Sequence, residues 1–171
     1  VEVVELVRAI VLKPDEGLVL KARLEFRDGR GVARKAGESW MIRDVVGSYI
    51  PRVEEEVVRH VQAVVLTPRA ALHLRAVCTF VDVYGIARKA GEEWLVTVAN
   101  SERHIPDVNE TVVKMTNIVA LTAREYCVIK DPWDVARKEN LLGSKRLVEG
   151  PATFFLAPGE SLENGVETAY L

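Results

Sequence analysis

The chain has 171 residues, 49% of them apolar and 28% charged, with a formal net charge of -2. That composition excludes disorder as a default, and with a near-neutral balance binding to nucleic-acid phosphates is not predicted. No apolar run approaches the roughly 20 residues that span a bilayer, so no membrane segment is expected.

The chain opens Val1-Glu2-Val3-Val4-Glu5, with no basic region and no initiator Met. It therefore does not read as a signal peptide, and the missing Met suggests a trimmed chain or an excised piece of a longer one. The first predicted element is Ala9-Ile10-Val11-Leu12, a strand closed by Pro14. Leu18, Leu20, Ala22, Leu24 and Phe26 then alternate with Val19, Lys21, Arg23, Glu25 and Arg27. A period of two marks a half-buried strand, with the first set inward. Asp28-Gly29 and Gly31 supply turn chemistry, and Gly37 permits another turn just before Trp40. The segment Glu54 to Val61 has acids where a helix would start, but its valines and the nearby Pro51 favour a strand. Val57 to Leu66 reads as apolar on both faces, and such strands are covered by something, here the next repeat or the next chain.

The second half of this description repeats the first. "ARKAGE" at 33–38 recurs letter for letter at 87–92, and 13 of 26 positions match when 17–42 is laid over 71–96. Val11-Leu12 and Pro14 match Val65-Leu66 and Pro68, while Ile50-Pro51 returns as Ile105-Pro106. A weaker third copy starts at Leu121-Thr122. In it Lys145–Gly150 reads as a worn Arg88-Lys89-Ala90-Gly91, Phe154 takes the place of the tryptophan, and an insertion falls near 131–142. The expected fold is all-β, a tandem array of small antiparallel β-sheet repeats of about 54 residues, partitioned 1–54, 55–109 and 110–171. Each unit would hold four or five short strands in a sheet roughly 24 Å wide. A unit so small buries too little surface to be robust, so neighbours would stack on it. Three copies cannot close a propeller.

No residue set reads as an active site. The Arg34-Lys35-Ala36-Gly37-Glu38 turn and its twin could hold an anion, but a solvated turn pairing with Glu38 or a neighbouring subunit is preferred. The Gly spacing is not a P-loop. Cys78, at the position of Leu24, and Cys127 read as small core residues, and two cysteines without a disulfide framework favour a reducing, intracellular compartment. His73 and His104, without visible partners, read as surface or interface residues. Trp40, Trp94 and Phe154 read as core anchors. Asp131, Asp134 and Glu139 do not fit a calcium loop and read as a plain surface loop. No catalytic, cofactor or metal residue is expected. An enzyme would need a nucleophile–base pair, a metal set or a phosphate loop.

Four phrases carry a family resemblance: "ALHLRAVCTFVDVYGIARKAGEEWLVTV" (71–98), "HIPDVNETVV" (104–113), "YCVIKDP" (126–132) and "FFLAPGESLENGV" (154–166). They resemble the repeat family of the major vault protein, over essentially the whole chain. The resemblance implies three consecutive repeats from an N-terminal repeat region that precedes a shoulder domain and a long cap helix. It implies a structural segment in the wall of the vault, a hollow cytoplasmic ribonucleoprotein shell with a minor nuclear pool, and no enzymatic activity. The partners it implies are other copies of the same chain, standing side by side, and the vault poly(ADP-ribose) polymerase. It places the vault RNA near the cap, so no direct nucleic-acid contact and no membrane contact is expected. Recurrence and expected exposure single out Arg34, Lys35, Glu38, Arg88, Lys89 and Glu92 as residues setting register between subunits. A binding module that docks a client is the rival reading.

Overall fold

The computed structural model describes residues 7–43, 45 and 47–169; the opening segment discussed above lies outside them. Among the described residues every regular element is a strand, and the strands fall into three sets of seven. The first set is β1 (Ile10–Leu12), β2 (Glu16–Ala22), β3 (Phe26–Arg27), β4 (Ala33–Arg34), β5 (Ser39–Ile42), β6 (Gly47–Tyr49) and β7 (Glu55–Gln62). The second is β8 (Val64–Val65), β9 (Ala70–Ala76), β10 (Phe80–Val81), β11 (Ala87–Arg88), β12 (Glu93–Val96), β13 (Arg103–His104) and β14 (Glu110–Asn117). The third is β15 (Val119–Leu121), β16 (Glu125–Lys130), β17 (Trp133–Asp134), β18 (Glu139–Asn140), β19 (Lys145–Glu149), β20 (Ala152–Phe154) and β21 (Ser161–Thr168).

Each set pairs in the same way. The first strand pairs with the sixth, the third with the fourth, and the second lies between the fifth and the seventh, giving sheet orders β5-β2-β7, β12-β9-β14 and β19-β16-β21. The pairs β1–β6, β2–β5, β2–β7, β9–β12 and β16–β21 are all antiparallel. The fold is therefore all-β and built from small antiparallel sheets. It differs from the single sheet of four or five strands expected above. The run 18–26 breaks at a bend over residues 23–25, so β2 and β3 join different sheets.

That bend also overturns part of the inward list. Leu18, Leu20 and Ala22 are buried, but Leu24 is 52% exposed and Cys78, its counterpart, is exposed as well. Strand alternation holds only while the strand continues. Val19, expected outside, is buried. Gly17 beside it is so closely covered that a Cβ there would sit 3.0 Å from both Ile105 and Met41, so the middle of β2 is enclosed on both faces. The expectation for Val57 to Leu66 is corrected in the opposite sense. β7 is a strand, but apart from Glu55 its residues are half-buried or exposed, because it forms the outer edge of its sheet.

The described chain divides into two compact units. One holds the residues through Val65 with Arg103–Thr111, and the other holds Leu66–Glu102 with the residues from Val112 onward. In the first, Leu12, Leu18, Leu20, Ala22, Trp40 and Ile42 form the core, with Phe26, Tyr49 and Val57 packed on it. Full burial of each such leucine contributes about 1.5–3 kcal/mol. In the second, Leu72, Leu74, Ala76, Trp94 and Val96 are buried around β9 and β12. Leu121, Cys127 and Ile129 form a smaller cluster there, joined by Phe154 and Leu162. Cys127 is thus a core residue, as its strand pattern indicated.

The register of the third set corrects the alignment drawn from letters. Leu20 faces Trp40 on β5, and Ile129 faces Arg146 on β19. Lys21 faces Ser39, and Lys130 faces Lys145. The third counterpart of Arg34–Glu38 is therefore Asn140–Ser144, with Gly143 in the place of Gly37. Their φ angles, 77° and 81°, agree. Phe154 does not replace the tryptophan. It faces Val119 as Tyr49 faces Ile10 and His104 faces Val64. The segment 131–142, read above as an insertion forming a surface loop, is not one: it contains the β17–β18 hairpin, which stands where β3–β4 stands in the first set.

Candidate functional site

The exact echo of six letters is accounted for by a charged clasp. After β3 the chain reverses through Asp28, whose Oδ1 accepts hydrogen bonds from the N–H groups of Arg30 and Val32, both at 2.9 Å. An aspartate that bonds the backbone two and four residues on fixes the turn. Gly31, at φ 78°, supplies the left-handed residue the reversal needs. β4 then returns Arg34 over the turn. Its Nε donates to Asp28 Oδ2 at 2.9 Å and its Nη1 to Glu38 Oε1 at 2.8 Å. The guanidinium lies 4.6 Å from the centroid of Trp40, against which Phe26 is tilted. Glu38 Oε2 also accepts from the Lys35 N–H at 2.9 Å.

The second copy reproduces this arrangement. Arg88 donates to Asp82 at 2.8 Å and to Glu92 at 2.9 Å, and lies 4.3 Å from the centroid of Trp94. Asp82 Oδ1 accepts from Tyr84 and Ile86, and Glu92 from the Lys89 N–H. Burial alone would push the Asp28 carboxyl up. The Val32 N–H and the Arg34 guanidinium more than offset it and hold the carboxyl below its ordinary range. The Lys35 N–H and Arg34 lower Glu38, and Glu92 is lowered in the same way against burial. Burial would lower Arg34, but Glu38 and Asp28 raise it.

The six charged turn residues thus separate into two kinds. Arg34 and Arg88, with side chains 17% and 12% exposed, are tied to carboxylates of their own turn. Glu38 and Glu92 answer them. Lys35 and Lys89 are exposed. In the third set the clasp is absent. Asn140 donates instead to the carbonyls of Asp131 and Pro158, and the Gly143 N–H donates to Asp131 Oδ1 at 2.6 Å. Asp134 Oδ1 accepts from the N–H groups of Ala136 and Arg137. These acids serve the local turns.

A second recurring feature escaped the sequence reading. The outer strand of each sheet is preceded or opened by a glutamate that accepts from the N–H three residues earlier: Glu55 from Arg52, Glu110 from Asp107 and Glu160 from Ala157. Glu55 and Glu110 are 4% and 6% exposed. Glu55 also accepts from the Tyr49 hydroxyl at 2.5 Å, and burial and this carboxylate push the phenol up. Glu110 lies 2.8 Å from His104 Nε2. Glu160 accepts from the Trp133 N–H and from Arg146. Glutamate five residues after Ile50 and Ile105 was the available signal.

His73 and His104 are therefore not surface groups. His104 and Glu110 have side chains 1% exposed, and His73 is 5% exposed with Nε2 2.8 Å from Glu93, which also takes Arg75. Both of these histidines are enclosed because a carboxylate from a nearby strand satisfies each of them. In the first unit, Asp28, Arg34, Trp40, Tyr49, Arg52 and Glu55 line one cleft of about 350 Å³. Every one of these charged groups already has a partner within the chain. Among the described residues no three His, Cys, Asp or Glu side chains are grouped to hold a metal, and no helix is long and apolar enough to cross a membrane. The arrangement orders turns and strand starts.

Comparison with known proteins agrees with the geometry. A family model described as the Major Vault Protein repeat domain matches residues 10–52 and 64–107, and a second of the same description matches 118–166. The chain is 50% identical over 171 residues, all of its length, to the major vault protein of Mus musculus, of which it covers 20%. It is 47% identical over 171 residues, again its whole length, to that of Homo sapiens, of which it covers 19%. It is also 47% identical over 167 residues, 98% of the chain, to major vault protein beta of Dictyostelium discoideum, of which it covers 20%. The chain thus spans about a fifth of the length of the curated relatives it matches. It belongs to the repeat family of the major vault protein.

Proposed function

We propose that this chain is a non-enzymatic, three-repeat wall segment of the hollow cytoplasmic vault particle, acting by side-by-side association with copies of itself. The repeats are taken as 1–54, 55–109 and 110–171, cut where β7 and β14 begin, so that each of these outer strands completes the sheet of the repeat before it. One observation carries the reading. β7, β14 and β21, eight residues each, lie at sheet edges and expose apolar side chains: Val58, Val112, Val113, Met115 and Val166. An edge strand offers unpaired N–H and C=O groups, and uncovered apolar side chains on it favour pairing with another chain. Identical chains repeating such edges add weak contacts along their length. Of the residues assigned to register between subunits, Lys35 and Lys89 reach outward, while Arg34, Glu38, Arg88 and Glu92 shape the turns that present them. Near-neutral charge supports a segment without direct RNA contact, in a particle that is cytoplasmic with a minor nuclear pool.

The test is made in the full-length parent. Val58→Asp with Val113→Asp, and separately Arg88→Glu with Lys89→Glu, should reduce assembled particles in electron micrographs while circular dichroism stays native. Undiminished particles with the first pair remove the edge strands from the wall contact, and with the second remove the charged turns.

The second reading is docking of a client, such as the vault poly(ADP-ribose) polymerase. It is favoured by a wide groove in the second unit, lined by residues of the β11–β12 turn and the β17–β18 hairpin.

A further inference from the structure

This groove has a volume of about 910 Å³. Its apolar members include Val135, 80% exposed, Ile86, 46% exposed, and Trp133. Its charges are unevenly committed. Arg88 is held by Asp82 and Glu92, and Glu93 is held by Arg75 and His73. The ammonium groups of Lys89 and Lys138 form no ion pair among the described residues, and both residues are exposed. The wall also includes Trp94, whose buried Nε1–H has no acceptor. The groove therefore combines uncovered apolar surface, two exposed cations outside any ion pair among the described residues and an indole donor left without a partner. A basic segment would meet like charge there, and a purely apolar one would leave the lysines unanswered.

We propose that this groove docks an extended acidic–apolar peptide segment of a partner protein. Its apolar side chains cover Val135, Ile86 and Trp133, and its carboxylates meet Lys89 and Lys138. The inference rests on the client-docking reading above and names the chemistry of the client.

The experiment uses the 171-residue chain and three short fluorescein-labelled peptides followed by anisotropy. In the first, glutamate alternates with leucine; in the second, lysine replaces glutamate; in the third, serine replaces leucine. The first should bind, and more weakly as salt is raised, with the lysine and serine peptides at least about tenfold weaker. Lys138→Glu and Lys89→Glu should each weaken the first peptide by about threefold to tenfold, and Val135→Asp by about tenfold. Val135 is on an exposed hairpin, so unchanged circular dichroism and melting would separate lost binding from lost fold. Glutamate–leucine binding that survives all three substitutions overturns the groove but leaves docking elsewhere on the chain. Equal or tighter binding of the lysine peptide overturns the proposed chemistry. No binding of any peptide up to about millimolar overturns both the groove and the docking reading. Self-association in ultracentrifugation that Val135→Asp abolishes makes a second copy the occupant and overturns the peptide.

Discussion

The turn at 28–40 and the turn at 131–146 occupy the same place in their strand sets and share almost no chemistry. In the first, Arg34 bridges Asp28 and Glu38 and covers Trp40. In the second, Asn140 takes the arginine position and bonds two carbonyls, while Arg146 takes the tryptophan position and reaches Glu160. What survives is the backbone: a left-handed glycine and an N–H to carbonyl bond that closes the turn, from Ala22 to Glu38 in one and from Asp131 to Ser144 in the other. The difference teaches that the repeat is defined by strand register and by one permissive residue. The ion clasp is one of two ways to satisfy the polar groups that the turn encloses.

The comparison can be broken most sharply at the core positions that register makes equivalent. Leu20→Ala, Leu74→Ala and Ile129→Ala should each lose about 3 kcal/mol in urea denaturation, since all three are fully buried. A loss below about 1 kcal/mol at Ile129 alone would mean that the third set is matched wrongly. Next in size, Arg88→Ala leaves the buried Asp82 carboxylate without its guanidinium and uncovers Trp94, a loss of about 2–3 kcal/mol. Asn140→Ala, which removes neutral hydrogen bonds, should lose about 1–2 kcal/mol. If Asn140→Ala proves the more damaging, the clasp is not the stronger of the two devices. Gly37→Ala, Gly91→Ala and Gly143→Ala should agree with one another at about 1 kcal/mol. Each sits in the left-handed region with open space around it, so backbone strain dominates.

The smallest effect is in acid. Asp28, Glu38 and Glu92 titrate lower in the folded chain than when unfolded. The stability they contribute is fully present above the unfolded carboxyl range of about 4 and drains as pH falls through their lowered values. Glu38→Gln with Glu92→Gln should therefore flatten the fall of the urea midpoint below about pH 4. An unchanged acid limb would show that these partly exposed carboxylates contribute nothing measurable. Ser144, at the position of Glu38, has no carboxyl to titrate.

Much of this architecture was legible in the letters. The echoed hexapeptide, the alternation through Leu18, Leu20 and Ala22, and the punctuation by Gly31, Gly37, Gly85 and Gly91 place strands and turns where they stand, because period-two burial and left-handed turns are local demands. The 55–62 strand followed from its valines. The failures occurred where a distant group decides the outcome. His73 and His104 look like surface residues until Glu93 and Glu110 are brought beside them. Leu24 and Cys78 look inward until a bend resets the alternation. In the third set, "KRLVEG" resembles the clasp in composition, while "NLLGS" is the clasp's true counterpart in register.

By itself, the sequence determined the all-β class, the duplication and the family, since repeated local patterns need no partner to be read. Only the tertiary structure decided which polar groups are enclosed, how the third set aligns and which edges stay uncovered. Those depend on hydrogen-bond partners and covering surfaces contributed by residues far along the chain, and no local pattern of side chains records where such partners will lie.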